Sequence, residues 1–260
     1  MAQKRAFKGV PFAPVKKAVL ETLLVKKGFT LPKRSSFQRD IMNISPNLSN
    51  LMKANVHIGH HVRRTHPNMK GCLKGQRNGT AIIDLDQTVQ GLRQGLKVME
   101  KIHQKKGNIL FVAQNPDAQQ IVQDLASRTG QFYMTKWVNG FLTNWSVQQE
   151  YMATFYQTLN EGTLSKGRQR RKIQQLRQNY AGVLDMHEKP SMIFLFHVRG
   201  SENIIREANR ANIPLVGVVD SDADPSLVDY PIPGNDDSIS ATAWMASLIQ
   251  VALLEGSHLS

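Results

Sequence analysis

Three short, continuously apolar runs constrain this chain more than any other feature: NILFVA from Asn108, MIFLFH from Met192 and PLVGVVD from Pro214. A strand that is apolar at every position must be covered on both faces, which is the situation of a parallel sheet between two layers of helices. The segments between these runs carry the matching helical pattern. Val89, Leu92, Leu96, Met99 and Ile102 recur at steps of three and four, and the stretch from Asp117 to Ser127 turns Ile121, Val122 and Leu125 to one side. AIIDL from Ala81 and FYM from Phe132 read as short strands, Ser201 to Ala211 as a helix, and the segment from about Asp236 to Leu254 as a last amphipathic helix. The expectation is an α/β chain with a doubly wound, mostly parallel sheet.

One interval breaks the rhythm. From Ser146 to about Leu184 no strand is evident, only two helical tracts, one with Tyr151, Phe155 and Leu159 and one with Ile173, Leu176 and Tyr180. Gly162 and Gly167 bracket the break between them, and Lys166, Arg168, Arg170, Arg171 and Lys172 crowd the second start. This reads as a helical hairpin inserted at about 146–187, with a cationic patch. Residues 1–48 form a separate basic extension interrupted by Pro11, Pro14, Pro32 and Pro46, leaving residues 49–260 as the α/β domain. Such a start suits an organelle presequence or a basic arm that folds on its target, and its seven Lys to three Arg in the first forty residues lean toward the arm.

Charge narrows the function. The first 83 residues hold 16 of the 33 Lys and Arg but only two acids, Glu21 and Asp40, while nothing after Arg210 is basic. A basic lobe on a nearly neutral body is the electrostatic footprint of a polyanion partner, because each phosphate neutralised releases counterions. No apolar run is long enough to cross a bilayer, so no membrane partner is expected. Cys72 is the single cysteine, which rules out an internal disulfide and a four-cysteine zinc cluster.

Two motifs invite chemistry. HIGHHVRRTHPNMK from His57 places four histidines in ten residues; His57 with His60, or His61 with His66, plus Cys72 would make a partial metal set, but Arg63, Arg64, Lys70, Lys74 and Arg77 crowd it. The better reading is a glycine-punctuated cationic loop in which Arg63, Arg64, Lys70, Lys74, Arg77 and Asn78, together with the five hairpin cations, face the phosphate oxygens of a polyanion. DSDAD from Asp220 follows a parallel strand, where α/β enzymes put magnesium ligands or a phosphoryl-accepting aspartate. It supports an alternative, a magnesium-dependent phosphatase-like enzyme using the aspartates at 220–224. The dehalogenase-type motif is incomplete, since Asp224 stands where Thr or Val belongs, and a polar loop capping the strand is the plainer reading. Neither G-x-G-x-x-G nor a P-loop occurs. No cofactor, no resident metal and no small-molecule substrate are expected.

A family pattern runs through the same residues. His57-Ile58-Gly59-His60, Arg63-Arg64, Pro67, Met69-Lys70, Gly75, Arg77-Asn78-Gly79, Ile82-Ile83-Asp84-Leu85 and Thr88-Val89 resemble the opening signature of the ribosomal protein S-two family. The resemblance continues through ILFVA from Ile109, KWVNGFLTNW from Lys136 and the long block from Ile204 that includes YPIPGNDD, covering about residues 52 to 256. It implies a three-layer α/β/α, Rossmann- or flavodoxin-like domain with an inserted coiled-coil hairpin and no catalysis. It also implies a structural role on the solvent side of the small subunit, bound to small-subunit ribosomal RNA between head and body and near neighbouring ribosomal proteins. Asn139 stands where the family usually has a glycine, His197 where a strand-end aspartate is common, and the basic start is unlike compact bacterial members. Those departures point to a mitochondrial version, with plastid or bacterial cytoplasm as the alternatives.

Overall fold

The computed structural model describes residues 48–160, 176 and 178–256. The basic extension, and with it the hairpin residues Lys166, Arg168, Arg170, Arg171 and Lys172, lie outside the described residues.

In chain order the elements are α1 (Leu48–Lys53), β1 (Ile58–His61), two short 3₁₀ turns (Val62–Arg64 and Pro67–Cys72), β2 (Leu73–Arg77), β3 (Thr80–Ile83) and α2 (Leu85–Gln104). There follow β4 (Ile109–Val112), α3 (Pro116–Thr129), β5 (Phe132–Met134), α4 (Trp145–Asn160), β6 (Met192–Leu195), α5 (Glu202–Arg210), β7 (Leu215–Val219), a 3₁₀ turn (Pro225–Leu227), β8 (Tyr230–Pro233) and α6 (Ile239–Gly256). The main sheet has the order β5-β4-β6-β7-β8, every pair parallel. The apolar runs supply its three central strands, each buried at every position.

Because successive side chains leave a strand on opposite faces, each run feeds two cores. Ile109, Phe111, Met192, Phe194, Val216 and Val218 pack with Leu92, Leu96 and Met99 of α2, Ile121 and Leu125 of α3, and Ile249 of α6. Leu110, Val112, Ile193, Leu195, Leu215 and Val219 pack with Met152 and Phe155 of α4 and Ile204, Ile205 and Ala208 of α5. The three-layer doubly wound architecture follows directly. Helix starts also obey local chemistry: the Asp84 and Asn115 side chains accept the N–H of Asp86 and Asp117, and α3 stops at Gly130 with φ 65°.

Four details differ from the sequence reading. The strand at Ala81 belongs to a separate antiparallel sheet of order β1-β3-β2, built from residues read as a cationic loop. The signal was Asn78-Gly79, whose φ values of 51° and 76° form the two-residue turn joining β2 to β3. Strand β8 was hidden by its prolines. In a parallel pair alternate residues face the neighbour, and Gly234 donates its N–H to Val219 O at 3.0 Å, so Pro231 and Pro233 turn their missing donors to the open edge. Helix α2 lies against that edge at Gly91, where a Cβ would come within 2.3 Å of the Pro231 carbonyl oxygen. Helix α6 is not amphipathic: residues 240 to 249 are buried without a break, because α2 and α3 flank a helix that already lies on the sheet. Finally, α4 turns Gln148, Met152 and Phe155 inward, and Tyr151 is 56% exposed.

The KWVNGFLTNW segment is held by one buried carboxylate. Glu207 on α5 accepts from Trp137 Nε1 at 3.1 Å, Gly140 N at 2.7 Å and Leu142 N at 3.0 Å, beside edge-on contacts of Trp137 with Phe141 and Phe141 with Trp145. Glu207→Ala strands three donors and should cost about 3 kcal/mol or more of unfolding free energy by urea titration; a loss below about 1 kcal/mol would show that water replaces the carboxylate.

Candidate functional site

The four histidines of the opening motif separate into different environments. His61 and His66 cap the two 3₁₀ turns, their Nδ1 atoms accepting from Arg63 N and Asn68 N at 3.2 and 3.3 Å. His57 is half-buried, and burial lowers its pKa. His60 points instead toward the carboxyl ends of β7 and β8. The histidine pairs considered with Cys72 are therefore not brought together as a ligand set.

What positions His60 is a backbone seam between the two sheets. Its N–H donates to Ser221 Oγ at 2.7 Å, and His66 N–H donates to Ser221 O at 2.8 Å. The approach is close enough that a Cβ on Gly59 would lie 2.7 Å from Ser221 Oγ and 3.2 Å from Ala81 O. Asn68 Nδ2 adds a bond to Asp224 Oδ1 at 3.0 Å, and Asn235 N–H donates to Val56 O at 3.0 Å. The HIGHH and DSDAD motifs, about 160 residues apart, form one structure.

Inside the seam, side chains from four segments converge. His60 Nδ1 lies 3.2 Å from Asp220 Oδ2, and its Nε2 lies 3.5 Å from Asp222 Oδ2 and 3.2 Å from Asp237 Oδ2. His197, just past β6, places Nδ1 2.6 Å from Asp236 Oδ2, and Arg199 pairs with Asp222. The Asp220 carboxylate against its ring pushes the His60 pKa up to about 9 despite partial burial, with Asp222 and Asp237 adding to the effect. The Asp236 carboxylate raises His197 in the same way, and burial raises Asp236 itself to about 6. Asp224 behaves differently: the Asn68 amide holds its pKa down while it caps the turn at Pro225.

The aspartates thus do not form a phosphatase site. Asp220 is 1% exposed, lies beneath His60 and bonds its own neighbour's N–H at Ser221, and Asp224 is committed to a cap. Arg63 and Arg64 sit on the first 3₁₀ turn, Lys70 on the second, and Lys74 and Arg77 on β2, an edge strand of the small sheet; all are exposed, and among the described residues none forms an ion pair. Asn78 is exposed too, but its backbone makes the hairpin turn. Neither the pairing of His60 with Asp220 nor that of His197 with Asp236 was foreseen, because the partners are distant in sequence.

A model of the family described as ribosomal protein S2 matches residues 51–256, which takes in both sheets and the whole cluster. The chain belongs to the ribosomal protein S2 family. Small ribosomal subunit protein uS2 of Chelativorans sp. (strain BNC1) is 38% identical over 215 residues, 79% of this chain and 80% of that protein. The protein of the same name from Treponema pallidum (strain Nichols) is 36% identical over 221 residues, 81% of this chain and 76% of its own. The S2 match begins after the basic extension and includes Arg63, Arg64, Lys70, Lys74, Arg77 and Asn78.

Two predictions concern the seam. Gly59→Ala must push Ser221 aside and should destabilise this S2-family domain by about 1–3 kcal/mol, measured by denaturant titration. In chelating buffer, the raised His60 pKa means the folded state holds its proton more tightly than the unfolded chain. That stabilisation is complete below about pH 6.5 and is lost as pH rises through about 9. The Tm should therefore fall across that interval, and His60→Gln should flatten the fall; an unchanged slope would assign it to another group.

Proposed function

We propose that this S2-family chain is a structural constituent of the small ribosomal subunit that acts by position and not by catalysis. Its rigid parallel sheet carries the small antiparallel sheet, and the exposed Arg63, Arg64, Lys70, Lys74 and Arg77 on that appendage bind small-subunit ribosomal RNA. The single observation that carries this reading is the set of five exposed cations that stand without anionic partners among the described residues, fixed to the core by the Ser221 seam. Folded RNA presents phosphates and 2′-hydroxyls, so such a surface reads geometry through charge and not base sequence. Asn78 assists by setting the hairpin that presents Arg77. The hairpin cations Lys166, Arg168, Arg170, Arg171 and Lys172 supply a second contact in this proposal, and neighbouring small-subunit proteins meet the remaining surface.

The organelle is part of the proposal. The S2 relatives named above are bacterial, which fits a bacterial cytoplasm. The acid-poor basic segment that precedes the family match supports a mitochondrial ribosome instead.

The decisive test is sedimentation. The chain should travel with small subunits from isolated mitochondria and be released by high salt; absence from that fraction sinks the mitochondrial reading, and absence from small subunits of any source sinks the ribosomal one. In a binding titration against small-subunit RNA, Arg63→Ala with Arg64→Ala should weaken affinity and lower the log–log salt slope by roughly 0.7–0.9 per lost phosphate contact. Equal affinity and slope would remove these two residues from the interface.

A further inference from the structure

The outer face of α2 carries a charge pattern that the contact on the small sheet does not use. We propose that Arg93, Lys97, Lys101 and Lys105, with Gln90, Gln94 and Gln104 among them, bind the sugar–phosphate backbone of RNA as a further contact, separate from the small sheet. The inference rests on the ribosomal reading and adds a surface to it.

Geometry comes first. The four cations recur at steps of four, Lys105 as the carboxyl-terminal cap, and all are exposed, while Leu85, Leu92, Leu96 and Met99 turn to the core. At 1.5 Å of rise per residue each step advances about 6 Å, so the stripe runs about 18 Å along the helix. Such steps are close to the interval between successive phosphates of an RNA strand. Helix α2 begins against the small sheet, where Gln87 Nε2 donates to Gly71 O at 3.3 Å, and it ends beside the start of β4. Gly107, just past the stripe, lies so close to Ser191 that a Cβ would sit 2.9 Å from its Oγ. The stripe therefore descends toward the amino edge of the parallel sheet, away from the small sheet at the carboxyl edge.

The second observation is the lack of counter-charge. The acids of α2 are Asp86 in its first turn and Glu100, whose pKa is raised by burial. Among the described residues none of the four cations forms an ion pair, whereas on α3 Arg128 Nε lies 3.1 Å from Asp124 one turn earlier. Like charges four residues apart destabilise a helix, and solvated faces usually mix both signs. The helix dipole accounts for Lys101 and Lys105 at the carboxyl end, but its influence fades within one turn and does not reach Lys97 or Arg93.

The anion must come from another molecule. The chain's own extension carries seven Lys and three Arg in its first forty residues against Glu21 and Asp40, so it is repelled. Between nucleic acid and an acidic protein, the make-up of the face decides. Protein interfaces are built around aromatic and apolar anchors and are poor in lysine, and none of the large exposed apolar side chains of the described residues lies on α2. Lysine, arginine and glutamine are instead the donors that meet phosphate oxygens and sugar hydroxyls.

The test titrates the full chain against small-subunit ribosomal RNA over a range of salt. Arg93→Gln with Lys97→Gln and Lys101→Gln should weaken binding and lower the log–log salt slope by about 2–3 in all, roughly 0.7–0.9 per lost phosphate contact. Glutamine is about as good a helix former as lysine, so the variant keeps its fold, as circular dichroism should verify. Arg93→Lys with Lys97→Arg and Lys101→Arg preserves the charge and should bind as the parent does. Added to Arg63→Ala and Arg64→Ala, the glutamine substitutions should change the slope additively, as separate contacts require. Unaltered affinity and slope in the glutamine variant overturn the proposal, and its loss from sedimenting small subunits in that case assigns the stripe to a protein neighbour. Weak binding by the charge-preserving variant overturns it as well, by showing a structural effect. An unaltered chain that binds no small-subunit RNA sinks the ribosomal reading itself, a result distinct from failure at α2 alone.

Discussion

The contact on which the rest of this molecule depends is the meeting of β1 with the carboxyl end of β7. Two backbone amides, those of His60 and His66, donate to one residue, Ser221. Gly59 permits the approach, since any side chain there would collide with Ser221. A three-stranded antiparallel sheet is too small to bury much apolar surface by itself. Fastened at Ser221, Asp224 and Asn235, it becomes an extension of a domain whose two cores are large and continuous.

That arrangement separates two electrostatic tasks that the sequence runs together. The exposed cations proposed to meet phosphate stand on turns and on an edge strand, where charge costs little and also blunts the edge against pairing with another chain. The acidic residues sit behind them at the strand ends of β7 and β8, sheltered by His60. The aspartates pair with His60, His197 and Arg199, whereas the five exposed cations form no ion pair among the described residues.

Much of the parallel sheet could be read from the residues alone. Runs such as MIFL and LVGVV are apolar at every position, and nothing but two-sided burial accounts for that pattern. Caps at Asp84 and Asn115 and the stop at Gly130 are local chemistry and equally legible. Strand β8 was harder because proline argues against a strand until the direction of each N–H is known. The near-complete burial of helix α6 comes from neighbours on several sides, which periodicity within the helix cannot report.

The site divides the same way. Sequence by itself determined which residues carry charge, that the fold is a layered α/β domain, and that HIGHH and DSDAD were the segments with chemical potential. Only the tertiary structure decided that these two segments are one site, that His60 faces carboxylates while His61 and His66 cap turns, and that Asn78 shapes a hairpin. The reason is physical. Periodicity and capping act over a few residues and leave their mark on composition, whereas a side chain's partner about 160 residues away is fixed by how sheets pack, and that packing is set by the whole core at once.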